Sequence, residues 1–514
     1  MPTPDRSSVL EFPFPPDDYL CTWHLRGLDG ATVHLSGMIE LRASRMPYGR
    51  IYGDLPLDSV TTGSQSVMSF PQKHDYLAVR ATLANGAELV VLKAKVTFWA
   101  GHGTVHGAAA ALRKRSNPFP SKPANYPDAD PDEGITFSRA RFQVGALDAL
   151  IGTTPIGEKT SPRKQADDGT WTWSAKTSPD TPITWTGSED ELKGAYAAKV
   201  NTFDFYNVSI RFAPVLDVST TPLTLFDLFQ RYVDPVRAIA SIATGRSQPI
   251  THVMLSRTDE STHMALPRGR NTDSDIDADQ PDLVPLMPAW QIYGTGLGQD
   301  PYQSDSETVR NQKSVLFCGE DGVDLLELVH AWWKLTEEHH PLIETYAGML
   351  HAQEDHPRSR FLLLIQSLEG MYGHETRTDF DEKKQTYQQR HAETLERIRE
   401  QVDDHDFRFI KNSLAKEPFR NLETALRWSF NAGSPDPSIE DRLASTSLIR
   451  VVISEEATST VDALRRVRNG LAHGTRGFEA EDLDEVNGVL DRVVRAHALR
   501  LLGCPDVVLA RLFD

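Results

Sequence analysis

Cysteine is scarce: Cys21, Cys318 and Cys504 are the only three in 514 residues, and no two stand in a CxxC spacing. That excludes a disulfide framework and a zinc site built from neighbouring thiolates, and leaves small buried hydrophobes as their expected role. Long apolar runs are missing too. No stretch approaches the roughly 20 residues that a bilayer-spanning helix needs, so a soluble chain with no membrane partner is expected. The opening residues "MPTPDRSSVLEFPFPPDD" carry no basic segment followed by an apolar one, and a cytoplasmic location follows as an expectation. Cations are outnumbered. Lys and Arg total 54 against 72 Asp and Glu, a formal net charge of −18, which argues against extended, non-specific duplex binding because phosphate affinity needs clustered basic residues. Neither GxGxxG nor GxxxxGK[ST] occurs, so a nucleotide-hydrolysing switch has no support.

What remains is a globular composition of 39% hydrophobic and 8% aromatic residues. At about 150 residues per domain the length predicts roughly three packed units, some merged. The texture changes along the chain. "ATVHLSGMIEL" (31–41), "ELVVLKAKVTFWA" (88–100) and "NVSIRFAPV" (207–215) alternate as strands do, and the glycines of "LDGA" (28–31), "PYGR" (47–50) and "ANGA" (84–87) predict turns. "TPLTLFDLFQRYVDPVRAIASIATG" (221–245) predicts a helix interrupted at Pro235 and stopped by Gly245. Residues 257–312 are weakly patterned, and the Asp, Pro and Gly content of 267–285 within them predicts an exposed loop or linker. Beyond it the periodicity is helical, with candidates at 321–338, 341–352, 357–371, 379–403, 405–414, 418–430, 438–446, 456–472 and 480–502. The expected architecture is α+β and multidomain: a β-rich module over 1–300, then an all-α bundle over 315–514.

One short run stands out against the acidic balance. "RRVRNGLAHGTR" (465–476) holds four arginines, an asparagine and a histidine without a carboxylate. On a helical wheel Leu464, Val467 and Leu471 fall on one side, and Arg465, Arg468, Asn469 and His473 on the other. A solvated basic face would account for that pattern. So would a phosphate site, in which Arg468 forks N–H donors onto a phosphate and the His473 imidazole moves a proton.

The residues "RNGLAH" (468–473), ending an amphipathic helix in the penultimate position of an all-α domain, resemble the motif of HEPN ribonucleases. A β-rich module ahead of such a bundle resembles the ApeA family of bacterial anti-phage proteins, and "HLSGMIELRASRMPYGRIYGDLP" (34–56) is similar to the opening of that family's N-terminal domain. The resemblance implies an RNA endonuclease effector that acts without metal or other cofactor and cleaves host RNA, tRNA among the candidates. It implies restraint until the N-terminal module senses infection, with a phage-derived protein as trigger. It also implies a homo-oligomer, at least a dimer, with two copies of 465–476 facing each other. Arg468, Asn469 and His473 would carry the catalysis, and Glu369, on the line of Leu362, Ile365 and Tyr372, would face Arg468 from an earlier helix. Arg465, Arg466 and Arg476 would contact RNA phosphates or stand as solvated charges. Two other readings stay open: a non-catalytic HEPN-like bundle that docks nucleotides or proteins, and the toxin of a toxin–antitoxin pair.

Three further motifs carry weaker signals. "GHGTVHG" (101–107) spaces His102 and His106 as a helix spaces metal ligands, but its glycines predict a turn. Trp171, Trp173 and Trp185 suggest either a β core or an exposed aromatic platform, and "AWW" (331–333) suggests helix packing.

Overall fold

The computed structural model describes residues 15–26, 31–42, 45–53, 60–62, 65–67, 70–113, 135–153, 155–160, 174–177, 182–204, 207–257, 262–265, 283–286, 289–294, 296–297, 313–343, 345–346, 356–418, 421–432 and 438–514. Two units emerge where length alone predicts three: Met1–Ala240 with Gln248–Leu326, and Ser241–Ser247 with Glu327–Asp514. The first is β-rich and the second helical, an α+β architecture. Continuity of one sheet explains the smaller number, since thirteen strands of the first unit hydrogen-bond into a single array.

The first nine strands are β1 (Asp18–Arg26), β2 (Thr32–Glu40), β3 (Tyr48–Tyr52), the short hairpin β4 (Val60–Thr62) and β5 (Gln65–Val67), β6 (Gln72–Leu83), β7 (Glu88–Trp99), β8 (His102–His106) and β9 (Ala109–Arg113). Because β8 pairs with both β3 and β7, the order β7-β6-β1-β2-β3-β8 returns on itself as a closed barrel. Closure leaves no free edge among those strands. Its interior is filled by Trp23, Leu25, Ile39, Ile51, Val79, Val96, Phe98 and Val105.

Glycines make room for that filling. The Trp23 indole donates from Nε1 to the Arg50 carbonyl at 2.9 Å and lies across Gly37 and Gly49, where a Cβ would stand 2.5 and 2.4 Å from the ring. Gly103 meets Phe98 in the same way, at 2.8 Å. The stretches 47–50 and 101–107, expected as turns, lie mostly in strands β3 and β8, where Gly49 and Gly103 mark close approach to an aromatic ring, while Gly101, at φ 80°, does turn the chain between β7 and β8. The turn at 84–87 does form, with Gly86 at φ 81°.

The sheet continues from β9 through β19 (Trp290–Tyr293), β16 (Ile250–Ser256), β10 (Thr136–Val144), β15 (Asn207–Thr224) and β14 (Glu191–Asp204) to β13 (Ile183–Thr186). The hairpins β11 (Ile156–Thr160) with β12 (Ser174–Thr177), and β17 (Thr262–Ala265) with β18 (Leu283–Leu286), stand outside it. Strands β17, β18 and β19 thus occupy parts of the weakly patterned segment 257–312. Trp185 is buried on β13, whereas Trp171 and Trp173 lie outside the described residues.

The expected break at Pro235 is absent. Helical turns at Leu225–Leu228 and Asp234–Thr244 are joined by a π-helical turn, Phe229–Val233, in which the Asp234 N–H donates to the Phe229 carbonyl. The wider turn comes just before the proline ring, which has no N–H to offer, so the helix runs on to Gly245 at φ 69°.

In the second unit the long helices Pro357–Glu375 and Ala480–Leu501 pack together, with Leu422–Ala432 and Thr460–His473 against the first of them. An additional helix, Ser447–Glu455, precedes the motif helix, which starts at Thr460 and not at 456. A buried polar knot joins several segments. Arg495 donates to the carbonyls of Ile242 and Ala243 at 2.6 and 2.8 Å, and Asp491 accepts from the Tyr346 hydroxyl at 3.3 Å with Arg360 3.7 Å away. Cys21, Cys318 and Cys504 are all buried.

Candidate functional site

The helix Thr460–His473 begins where the Ser459 side chain accepts from the Asp462 N–H at 3.2 Å, an N-cap that a Ser followed three residues later by an acid encodes. It ends at Gly474, whose φ of 67° lets Thr475 N–H reach the Gly470 carbonyl at 3.0 Å and Gly474 N–H reach that of Leu471 at 3.3 Å. Val461, Leu464, Val467 and Leu471 are buried along one face. Asn469 and His473 lie across from that face, whereas Arg468, four residues after Leu464, lies at its border and not on the opposite side that the helical wheel predicted.

Most of its positive charge is already paired. Arg465 binds Asp462 at 2.6 Å and Glu423 at 2.9 Å, and Arg466 binds Asp462 at 3.2 Å and Glu456 at 3.3 Å. Arg476 reaches Glu455 at 3.0 Å and Glu456 at 3.5 Å, and lies over the Phe478 ring. The Arg465 hydrogen bond, helped by the Thr458 N–H and Arg466, holds the Asp462 carboxyl down to about 2. These arginines thus brace the start of the helix and the chain after it. Their partners come from helices at 422–432 and 447–455 and from the turn after the latter.

The last turns differ. Arg468 donates from Nη1 to the Asn469 side-chain oxygen at 3.2 Å, and its Nη2 lies 3.8 Å from Glu369 on the helix Pro357–Glu375. His473 is exposed, and among the described residues no hydrogen bond or ion pair engages it. Arg358, at the start of the Glu369 helix, donates to the Leu471 carbonyl and so brings a further guanidinium to the carbonyl end of the motif helix. Its sequence context, "PRSR" (357–360), gives no sign of that placement.

Arg468, Asn469 and Glu369 are thus brought together at a half-buried spot, and His473 is exposed one helical turn beyond Asn469. A phosphate there would meet the open N–H donors of Arg468, while the His473 imidazole stands five residues on, about 140° farther round the helix. Among the described residues two groups have metal-ligand composition, His340 with His374 and Glu375, and the exposed Asp403, His405 and Asp406. The first lies at the far end of the Glu369 helix. His340 is buried, its Nδ1 accepts from the Leu342 N–H at 3.2 Å, and its Nε2 points at Glu375 3.7 Å away. That backbone donor places the neutral ring's proton on Nε2, so a donor and not a lone pair faces the cluster. Burial and then His374 lower the His340 pKa, against the pull of Glu375. The cluster thus reads as a helix cap leaning on a carboxylate.

Comparison with family models, with curated proteins and with solved structures gives no match.

Proposed function

We propose that the helical unit is a metal-independent RNA endonuclease of the HEPN type, and that the chain is an ApeA-like effector of bacterial anti-phage defence, acting in the cytoplasm on host RNA such as tRNA. The observation that carries this reading is the exposed end of the helix Thr460–His473, where Arg468 is oriented by Asn469 and Glu369 and an unengaged His473 stands one helical turn beyond Asn469. In the proposed reaction an imidazole accepts the proton of the ribose 2′-hydroxyl and the 2′-oxygen attacks phosphorus. Arg468 holds the phosphorane oxygens, and the P–O5′ bond breaks as the 5′-oxygen takes a proton from a second, protonated imidazole. The products are a 2′,3′-cyclic phosphate and a 5′-hydroxyl. One helix supplies one such histidine, so the active species is a dimer whose two motif helices face each other, with the β-rich unit restraining it until a phage-derived protein is sensed.

The ion pairs on Arg465, Arg466 and Arg476 favour a second reading, a non-catalytic bundle that docks a nucleotide or a protein, because they leave fewer free cations for an RNA strand. Incubation of the purified chain with tRNA in EDTA separates the two. The nuclease reading predicts cleavage in chelator, cyclic phosphate at the new 3′ ends, and no cleavage of a strand carrying 2′-deoxyribose at the cut site. Cleavage that requires added magnesium or manganese, or no cleavage in the presence of the trigger, would contradict it.

A further inference from the structure

The barrel of the first unit carries a surface that the ribonuclease reading does not use. Gly49 and Ile51 of β3 point inward, so Tyr48, Arg50 and Tyr52 point out. Pairing places them in three rows with outward residues of β8 and β7: Tyr48 beside His106 and Lys95, Arg50 beside Thr104 and Thr97, Tyr52 beside His102 and Trp99. Lys73 of β6 extends the middle row and Asp75 stands beside Lys95. The rings meet in two pairs, one stacked flat and one tilted by 56°. Trp99 and His102 stack at 5.3 Å and 10°, Tyr48 meets His106 at 4.8 Å, and the Arg50 guanidinium lies over Tyr48. Tyr52 is 49% exposed.

A structural role does not account for these rings, because the barrel interior is filled from the opposite side of the same strands by Ile51, Val96, Phe98 and Val105. Nor is the face a simple apolar one, since Arg50, Lys73 and Lys95 lie among the aromatics, with Arg45 at its border. Among the described residues two carboxylates accompany them: Asp75, and Glu40, which is mostly buried and held by Arg45 with Arg50 3.8 Å away. The described residues of the face are thus net cationic in a chain of charge −18. Flat rings alternating with cations on a barrel surface match the chemistry of an unpaired strand, whose bases stack and whose phosphates need neutralising. A duplex hides its base faces and would leave the rings unused.

We propose that the outer face of β3, β8 and the second half of β7 binds single-stranded nucleic acid, with bases on Tyr52 and the Trp99–His102 stack and phosphates on Arg50, Lys73 and Lys95. The proposal is independent of cleavage by the helical unit: it holds whether that unit cuts RNA or only docks a partner.

The test uses the full chain carrying His473→Ala, so that bound RNA is not consumed, and fluorescein-labelled oligouridine, oligothymidine and a duplex of equal length, followed by anisotropy. At about 50 mM salt both single strands are expected to bind more tightly than the duplex, and affinity should fall steeply by about 200 mM. Tyr52→Ala should weaken binding about fivefold or more for both strands, and Lys95→Glu should also lower the salt slope by about one. Arg211→Glu, on β15 away from the face, should leave binding unchanged. Both patch residues are exposed, and melting curves check that each variant is folded. The relative affinity for the two strands identifies RNA or DNA as the preferred source. No binding of either strand at low salt, as expected if the face takes a protein instead, overturns the proposal. So does a tighter duplex, wild-type binding by folded Tyr52→Ala and Lys95→Glu, or an equal loss in Arg211→Glu.

Discussion

The Arg468 guanidinium stands 3.8 Å from the Glu369 carboxylate, on a different helix, with the two side chains 36% and 42% exposed. A pair that open contributes about 0–1 kcal/mol to stability, so its consequence is orientation of the guanidinium and not support of the fold. Glu369→Gln should therefore leave the melting temperature within about 2 °C of wild type while lowering the RNA cleavage rate roughly tenfold. Thermal melts and initial rates on the same preparation decide it. A variant with full activity removes Glu369 from the site.

Asp462 is the opposite case, a buried carboxylate that anchors two arginines and accepts from the Thr458 N–H at 3.1 Å. Asp462→Ala leaves Arg465 and Arg466 without that anchor. Because both guanidinium groups reach solvent, a loss of about 1–3 kcal/mol is expected, less than for a fully buried pair. The midpoint of urea denaturation measures it, and an unchanged midpoint would show that the remaining partners, Glu423 and Glu456, suffice.

His497 makes the helical unit sensitive to acid. Its ring is buried, stacks on Trp428 at 5.5 Å and donates from Nε2 to the Ser429 carbonyl at 2.9 Å. Burial pushes its pKa down to about 4, with the Ser429 carbonyl opposing and Arg500 adding to the shift. Unfolded, the ring titrates near about 6.5. Between those values the unfolded chain binds the extra proton, so stability is full above about 6.5 and is lost as pH falls toward 4, by about 3 kcal/mol in all. His497→Leu should be less stable than wild type at neutral pH yet show a flatter decline on acidification. Equal slopes for the two in urea titrations across this range would contradict the assignment.

Dimerisation is the next expectation. Val451, 46% exposed, lies on the helix Ser447–Glu455 that packs beside the motif helix and supplies Glu455 to Arg476. An apolar side chain there suits a contact between copies, which must also offset the approach of two basic motifs. Sedimentation over a dilution series should show a dimer whose dissociation and loss of cleavage coincide, and Val451→Glu should move both to higher concentration. A monomer with constant specific activity refutes the shared site.

Legibility in the sequence followed the range of the interactions. β2 and the second half of β7 were legible because inward and outward residues alternate, and the Asn85–Gly86 turn because its chemistry is local. Gly49 and Gly103 misled because the reason for each is an aromatic ring on another strand, Trp23 and Phe98. The helix Ser447–Glu455 was hidden by β-branched residues in "SLIRVVISE", whose burial against the bundle overrides their weak preference. Pro235 implied a break because the compensating π turn depends on hydrogen-bond register. At the motif, the buried face of the helix was readable from spacing, but Arg468, four residues after Leu464, lies at its border and reaches Glu369 on the helix packed there. The carboxylates that neutralise Arg465, Arg466 and Arg476 were not readable, since Glu423, Glu455 and Glu456 reach them only through the packing of separate helices.

The central claim is that His473 and Arg468 cut RNA. Its most direct test is the initial rate of tRNA cleavage by wild type, His473→Ala and Arg468→Ala, compared at equal protein concentration and with melting temperatures confirmed to match. The site predicts a loss of about a hundredfold or more in each variant, the scale of a lost proton-transfer or charge-stabilising group. A folded His473→Ala protein that cleaves at the wild-type rate would contradict it.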